Sequence, residues 1–172
     1  IKFIYFQFCS LFMFQKNPKN NSLSTRPPHF ASLFYSSQPL ALTSQIRALF
    51  QHPFGPKKPP LRNSITNSKR KPWDSSLLAG IIPHAGYPYS GPCAAHFYQL
   101  ISQFNPPDVF ILLATSHSSP HSYYDNRNFS TPLGLVRVNQ IFLKAFQKIS
   151  ATNSKLKPNH FFSDQEHSVE VQ

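Results

Sequence analysis

Two short runs, Leu77-Leu-Ala-Gly-Ile-Ile-Pro83 and Asp108-Val-Phe-Ile-Leu-Leu-Ala114, are continuously apolar rather than alternating. That is how strands covered on both faces read. Between them a helix is predicted: Ser90 or Gly91 suits its cap, Pro92 its first turn, and Ala94, Phe97, Ile101 and Phe104 recur at three- and four-residue steps. Pro106 and Pro107 stop it. The same spacing predicts an amphipathic helix over Pro39 to Gln51 through Leu42, Ile46, Leu49 and Phe50, ended by Pro53 and Gly55. A strand is expected over Leu135 to Val138 and a helix over Asn139 to Ser150, with Ile141, Phe142, Ala145, Phe146 and Ile149 inward and Lys144 and Lys148 outward. Val169 and Val171 alternate with Ser168, Glu170 and Gln172, the pattern of an edge strand.

A strand, a crossover helix and a second strand form a βαβ unit, whose strands almost always run parallel with a right-handed crossover. His84 and His117 each stand just past one of the two runs. On neighbouring strands about 4.8 Å apart, both imidazoles would leave the same sheet edge and could share one metal ion at roughly 2.0 to 2.1 Å. A lone histidine after a strand is more often a loop residue bonded to backbone. The paired positions bring the two readings level. Gly86 and Gly91, flanking Tyr87 to Ser90, add a turn that lets backbone approach a ligand.

Five blocks in order then point to a family. Ile82-Pro-His-Ala-Gly-Tyr-Pro-Tyr-Ser-Gly-Pro-Cys-Ala-Ala-His96 resembles the signature of the Memo family, the group that includes prokaryotic AmmeMemoRadiSam system protein B. Phe30 to Tyr35 resembles the family's opening segment, Phe110 to His117 its second strand and histidine, Thr131-Pro-Leu-Gly134 its turn, and Glu166-His-Ser-Val-Glu-Val-Gln172 its closing block. The resemblance covers residues 26 to 172. It implies an α/β fold, a three-layer α/β/α arrangement with a mostly parallel sheet, similar to class III extradiol dioxygenases. It also implies that His84 and His117 are ligands of iron or copper, with a cysteine further along the family's chain as the third. On that reading the present chain carries the first part of the domain. Glu166 and His167 become pocket residues by the same resemblance and are the candidates for catalysis, with His167 the better placed to hydrogen-bond near the metal. Ser118, where many members have a second histidine, and Ala114-Thr115-Ser116 depart from the family's pattern and alter the pocket wall without removing a ligand.

Charge divides the chain. Eleven of the seventeen Lys and Arg precede Asp74 and all six acids lie at or after it, so residues 1 to 73 carry +11 while the remainder balances. Such a charge ordinarily suggests nucleic acid. Its confinement to the N-terminal part argues instead against a basic face on the fold, and no nucleic-acid partner is expected. Ile1 to Phe14 is apolar and aromatic but shorter than the roughly twenty residues of a membrane span. Residues 1 to 25 are therefore expected to be an unmatched, disordered leader, or a transit peptide to an organelle. Residues 56 to 73 read as a flexible basic loop. Cys9 and Cys93 form no metal or disulfide pattern, which favours a reducing, cytoplasmic setting; Cys93 near a helix start is more plausibly packed than reactive. The long polar stretch Ser118 to Thr131 offers His121 and Asp125 as neighbours of a metal, though solvated loop residues are the commoner outcome.

Two functions of different class follow. One is a redox protein or O2-dependent oxidoreductase acting on a small molecule. The other is a non-catalytic signalling adaptor that binds phosphotyrosine peptides in cell motility. A truncated chain without function is the third reading, since a sheet lacking later strands leaves an unpaired edge.

Overall fold

A computed structural model describes the backbone of residues 10–15, and residues 23–60, 72, 79–105, 107–152 and 156–172. The chain divides into two compact units, one drawn from residues 1–29, 109–170 and 172, the other from residues 30–108 and 171.

The first unit carries two small mixed sheets. In one, β1 (Ser10–Gln15) lies between β3 (Val109–Ala114), to which it is antiparallel, and β4 (Tyr123–Tyr124), to which it is parallel, with β7 (Lys157–Pro158) beyond β4. In the other, β2 (Thr25–Arg26) runs parallel to β5 (Asn128–Thr131), which pairs antiparallel with β6 (Gly134–Val136). Helix α3 (Gln140–Ser150) starts where Asn139 accepts the Phe142 N–H at 2.8 Å, a side-chain cap for an otherwise unpaired amide. Its Leu143 packs with Tyr124 and Val138, and Phe129 packs with Val169. A short helix α4 (His160–Asp164), capped by Asn159, leads into the closing block.

The second unit is a helix pair. Helix α1 (Pro39–Gln51) has the predicted bounds, with Leu42 and Phe50 buried. Helix α2 (Tyr87–Ile101) begins upstream of the expected cap, because Gly86 and Pro88 suit a first turn as well as Gly91 and Pro92 do, and Ser90 donates to the Ala85 carbonyl at 3.0 Å. Pro92 thus falls inside the helix, where it lacks the N–H that would bond the preceding turn. Gly91, Pro92 and Ala95 form the buried side. Leu42 also joins Tyr35 and Val171 in a core flanked by Phe30, Phe34 and Tyr87.

Several expectations are corrected. Ala79 to Pro83 is not a strand, and Leu77 and Leu78 lie outside the described residues. Ile81 is 96% exposed, Pro83 has no N–H to give a ladder, and a Cβ on Gly80 would meet the Phe97 ring at 2.1 Å, so this backbone lies against α2. The parallel βαβ pair is therefore absent among the described residues, and β3 pairs with β1 instead. Both sheets are mixed: three of their five strand pairings are parallel, and the two longest ladders are antiparallel. A structureless head does not hold for Ser10–Gln15: a short apolar run reads equally as a leader core or a strand, and here β3 supplies the ladder. The expected basic loop over residues 56 to 73 falls largely outside the described residues. On α3 the covered stripe runs through Leu143 and Phe146, while Ile141 is 81% exposed and Ile149 also faces outward. The polar stretch after His117 contains β4 and β5. Residues 168–171 form a turn rather than an edge strand, because the Glu166 carboxylate takes the Ser168 N–H at 2.9 Å and the Gln172 N–H bonds the Val169 carbonyl.

Candidate metal centre

His117 follows β3 directly, after the connecting residues Thr115 and Ser116. Its backbone N–H donates to Glu166 Oε2 at 2.6 Å, and its ring Nδ1 lies 3.0 Å from Glu166 Oε1. Glu166 is 2% exposed and also accepts the Ser168 N–H. Ser168 Oγ in turn donates to the Thr115 carbonyl at 2.8 Å, so the segment after α4 is fastened to the segment after β3. A carboxylate accepts only. Nδ1 of His117 must therefore carry the proton of this bond, which leaves Nε2 as the ring atom that could face an ion, the usual arrangement for a metal-ligating histidine.

His167 stacks on His117, with ring centroids 4.6 Å apart and planes 25° from parallel. Its Nδ1 is 3.7 Å from Glu166 Oε1, too long for a hydrogen bond. His84 stands in the irregular segment just before α2. His117 and His167 both belong to the first unit and can offer two imidazole nitrogens to one ion; His84 belongs to the second unit. By this stacking His167 is a second candidate ligand, and Glu166 makes the hydrogen bond to the His117 ring.

Glu166 titrates in a way that can be tested. Burial pushes its carboxyl up, but the bonds from the His117 and Ser168 backbone amides and from the side chains of both residues outweigh this and hold it below the usual carboxylate range. A folded pKa below the unfolded value means stability is fully present above about pH 4.3 and is lost as pH falls through the lower folded value. Urea midpoints measured across this acid range should fall less steeply for Glu166→Gln than for the wild type. Parallel curves would show that the carboxylate is not held by these bonds.

Asp125 is not a solvated loop residue. It is buried and accepts the Arg127 backbone N–H at 2.8 Å, the Arg127 guanidinium at 2.7 Å and the Ser163 hydroxyl at 2.5 Å. His121 is exposed, and its backbone N–H donates to Ser119 Oγ. Arg26 and Arg127 went unrecognised in the sequence because a charged residue gives no periodic signal of its burial, and their half-buried partner Asp164 went with them; the only hint was that all three fall inside the family-like region.

The elements are compatible with an α/β chain, and its first unit sets His117 and His167 side by side. The chain belongs to the Memo-like family: the model of the Memo-like protein matches residues 26–172. A MEMO1 family protein of Saccharolobus solfataricus is 37% identical over 150 residues, covering 86% of this chain and 50% of the relative. A MEMO1 family protein of Caldivirga maquilingensis is 34% identical over 151 residues, with the same coverage of both chains. The chain spans about half the length of the curated relatives it matches.

Proposed function

We propose that this protein binds a redox-active metal, iron or copper, through His84, His117 and His167, with Glu166 orienting His117. The observation that carries the reading is the pair of stacked imidazoles, His117 and His167, beside a buried carboxylate that fixes one ring; His84 enters through the family resemblance. The donor set fits. Imidazole nitrogens suit iron and copper, and a ring whose other nitrogen is held by a carboxylate is both oriented and made more basic. Such an ion, when bound, supplies one-electron chemistry and open coordination positions. The chain's own part is to hold the Nδ1 proton of His117 on Glu166 and to keep His167 stacked against that ring.

Two finer readings extend this one. In the first, the site belongs to a three-layer α/β/α domain like that of class III extradiol dioxygenases and performs O2-dependent oxidation of a phenolic or other small molecule. Its support is the family resemblance together with the open donor group, and fold alone does not decide chemistry. In the second, the protein is an adaptor for phosphotyrosine peptides. A cytoplasmic location accompanies either reading; no helix among the described residues is long and apolar enough to cross a membrane.

The test is competition of metal-free protein against a chelator for Fe(II) and Cu(II), followed by assays of phenol oxidation and of phosphopeptide affinity with and without metal. One ion per chain with metal-dependent turnover supports the enzyme. Peptide affinity that survives chelation supports the adaptor. Absence of stoichiometric binding of either ion would end the metal reading.

A further inference from the structure

We propose that Arg26 is a positioning residue for the metal group, acting through the segment that carries Glu166 and His167; the inference rests on the metal-binding reading above. Arg26 comes from β2, distant in sequence from the histidines, and is 1% exposed. Every N–H of its guanidinium has an acceptor. Nε and Nη2 both donate to the Ser163 carbonyl, at 3.2 and 3.0 Å, and Nη2 also donates to the Glu166 carbonyl at 3.1 Å. Nη1 donates to the Glu170 carboxylate and to the Pro27 carbonyl. The planar group also lies over the Phe129 ring, 4.9 Å from its centroid.

These bonds bracket the site. Ser163 and Glu166 lie before His167 and Glu170 lies after it, so one rigid fork ties down both ends of the turn that presents the Glu166 carboxylate and the His167 ring. Glu170 is fixed in turn by the His29 N–H at 3.2 Å. Lysine cannot replace this function. Its ammonium is a compact charge without the planar fork, and it cannot bond two separated carbonyls and a carboxylate while stacking on an aromatic face. Arg127 provides the contrast: it is also buried, but its guanidinium bonds Asp125 and Asp164, both ahead of the turn at residues 166 to 170.

The experiment compares Arg26→Lys with Arg127→Lys in the full chain, with urea unfolding as the measure of stability. Two further readouts are the Cu(II) dissociation constant and the imidazole nitrogen chemical shifts of His117 in metal-free protein. The shifts report the Nδ1–H tautomer without needing metal. For Arg26→Lys we expect the tautomer to become mixed and Cu(II) affinity to fall by about 10- to 100-fold, the range found when a partner of a ligating histidine is lost. Arg127→Lys is expected to lose stability with the tautomer intact. Should Arg26→Lys fail to fold, Glu170→Gln, which removes one anchor of the same guanidinium, is expected to shift both readouts in the same direction by less. An unchanged tautomer in the folded Arg26→Lys protein, or in Glu170→Gln where that variant replaces it, overturns the proposal, as does an equal effect of Arg127→Lys. A mixed tautomer in a protein whose wild type binds no Cu(II) sustains the role of Arg26 and refutes the metal reading.

Discussion

His117→Ala is expected to lower the affinity for Cu(II) by more than the roughly 10- to 100-fold that loss of a histidine's hydrogen-bonding partner costs, because it removes a ligand and its orienting bond together. His84→Ala and His167→Ala should each produce a comparable loss, since each is proposed to supply one nitrogen to the ion. Glu166→Gln should fall between these variants and the wild type, for it leaves all three rings in place and disturbs only the one it holds. Competition titrations against a chelator give the ranking directly. Equal affinity in all four variants would place any bound ion elsewhere and leave the family membership informative about ancestry but not about this site.

The largest effect on stability is expected at Asp125. Its carboxylate is fully buried against Arg127 and Ser163. Replacing it by alanine strands a guanidinium that is only 9% exposed, and breaking a buried pair by removing one partner typically costs about 3 to 5 kcal/mol. Asp164 still contacts the same guanidinium at 2.7 Å, which argues for the lower end of that range. The His29–Asp164 pair sets the comparison. Both of its side chains are 35% exposed, so His29→Ala should change stability by less than about 1 kcal/mol. Urea unfolding of the two variants would check the contrast, and similar losses would mean that burial does not govern this network.

Local patterns were legible where one element decides its own form. The apolar spacing from Leu42 to Phe50, with Pro39 ahead and Pro53 behind, marks α1 to the residue, and Asn139 ahead of a periodic run marks α3. The β3 run was legible in the same way. Partner choice was not. A short apolar segment has the same composition whether it is a leader or a strand, and only the ladder from Val109 to Ala114 makes Ser10–Gln15 a member of the sheet. Likewise Ile141 and Leu143 are equally apolar, and the position of Tyr124 and Val138 decides which of the two is covered.

By itself the sequence determined the family, through five ordered blocks, and named His84 and His117 as the residues most able to hold metal. Those are properties of residue identity and order, which a chain carries before it folds. Tertiary structure alone decided that His167 stacks on His117, that the Glu166 carboxylate holds the His117 ring, and that Arg26 and Asp125 are buried ionic anchors. The reason is distance along the chain. Arg26 lies 140 residues from its acceptor at Glu166 and His117 lies 49 from the same residue, and no local periodicity encodes a contact made across such a separation.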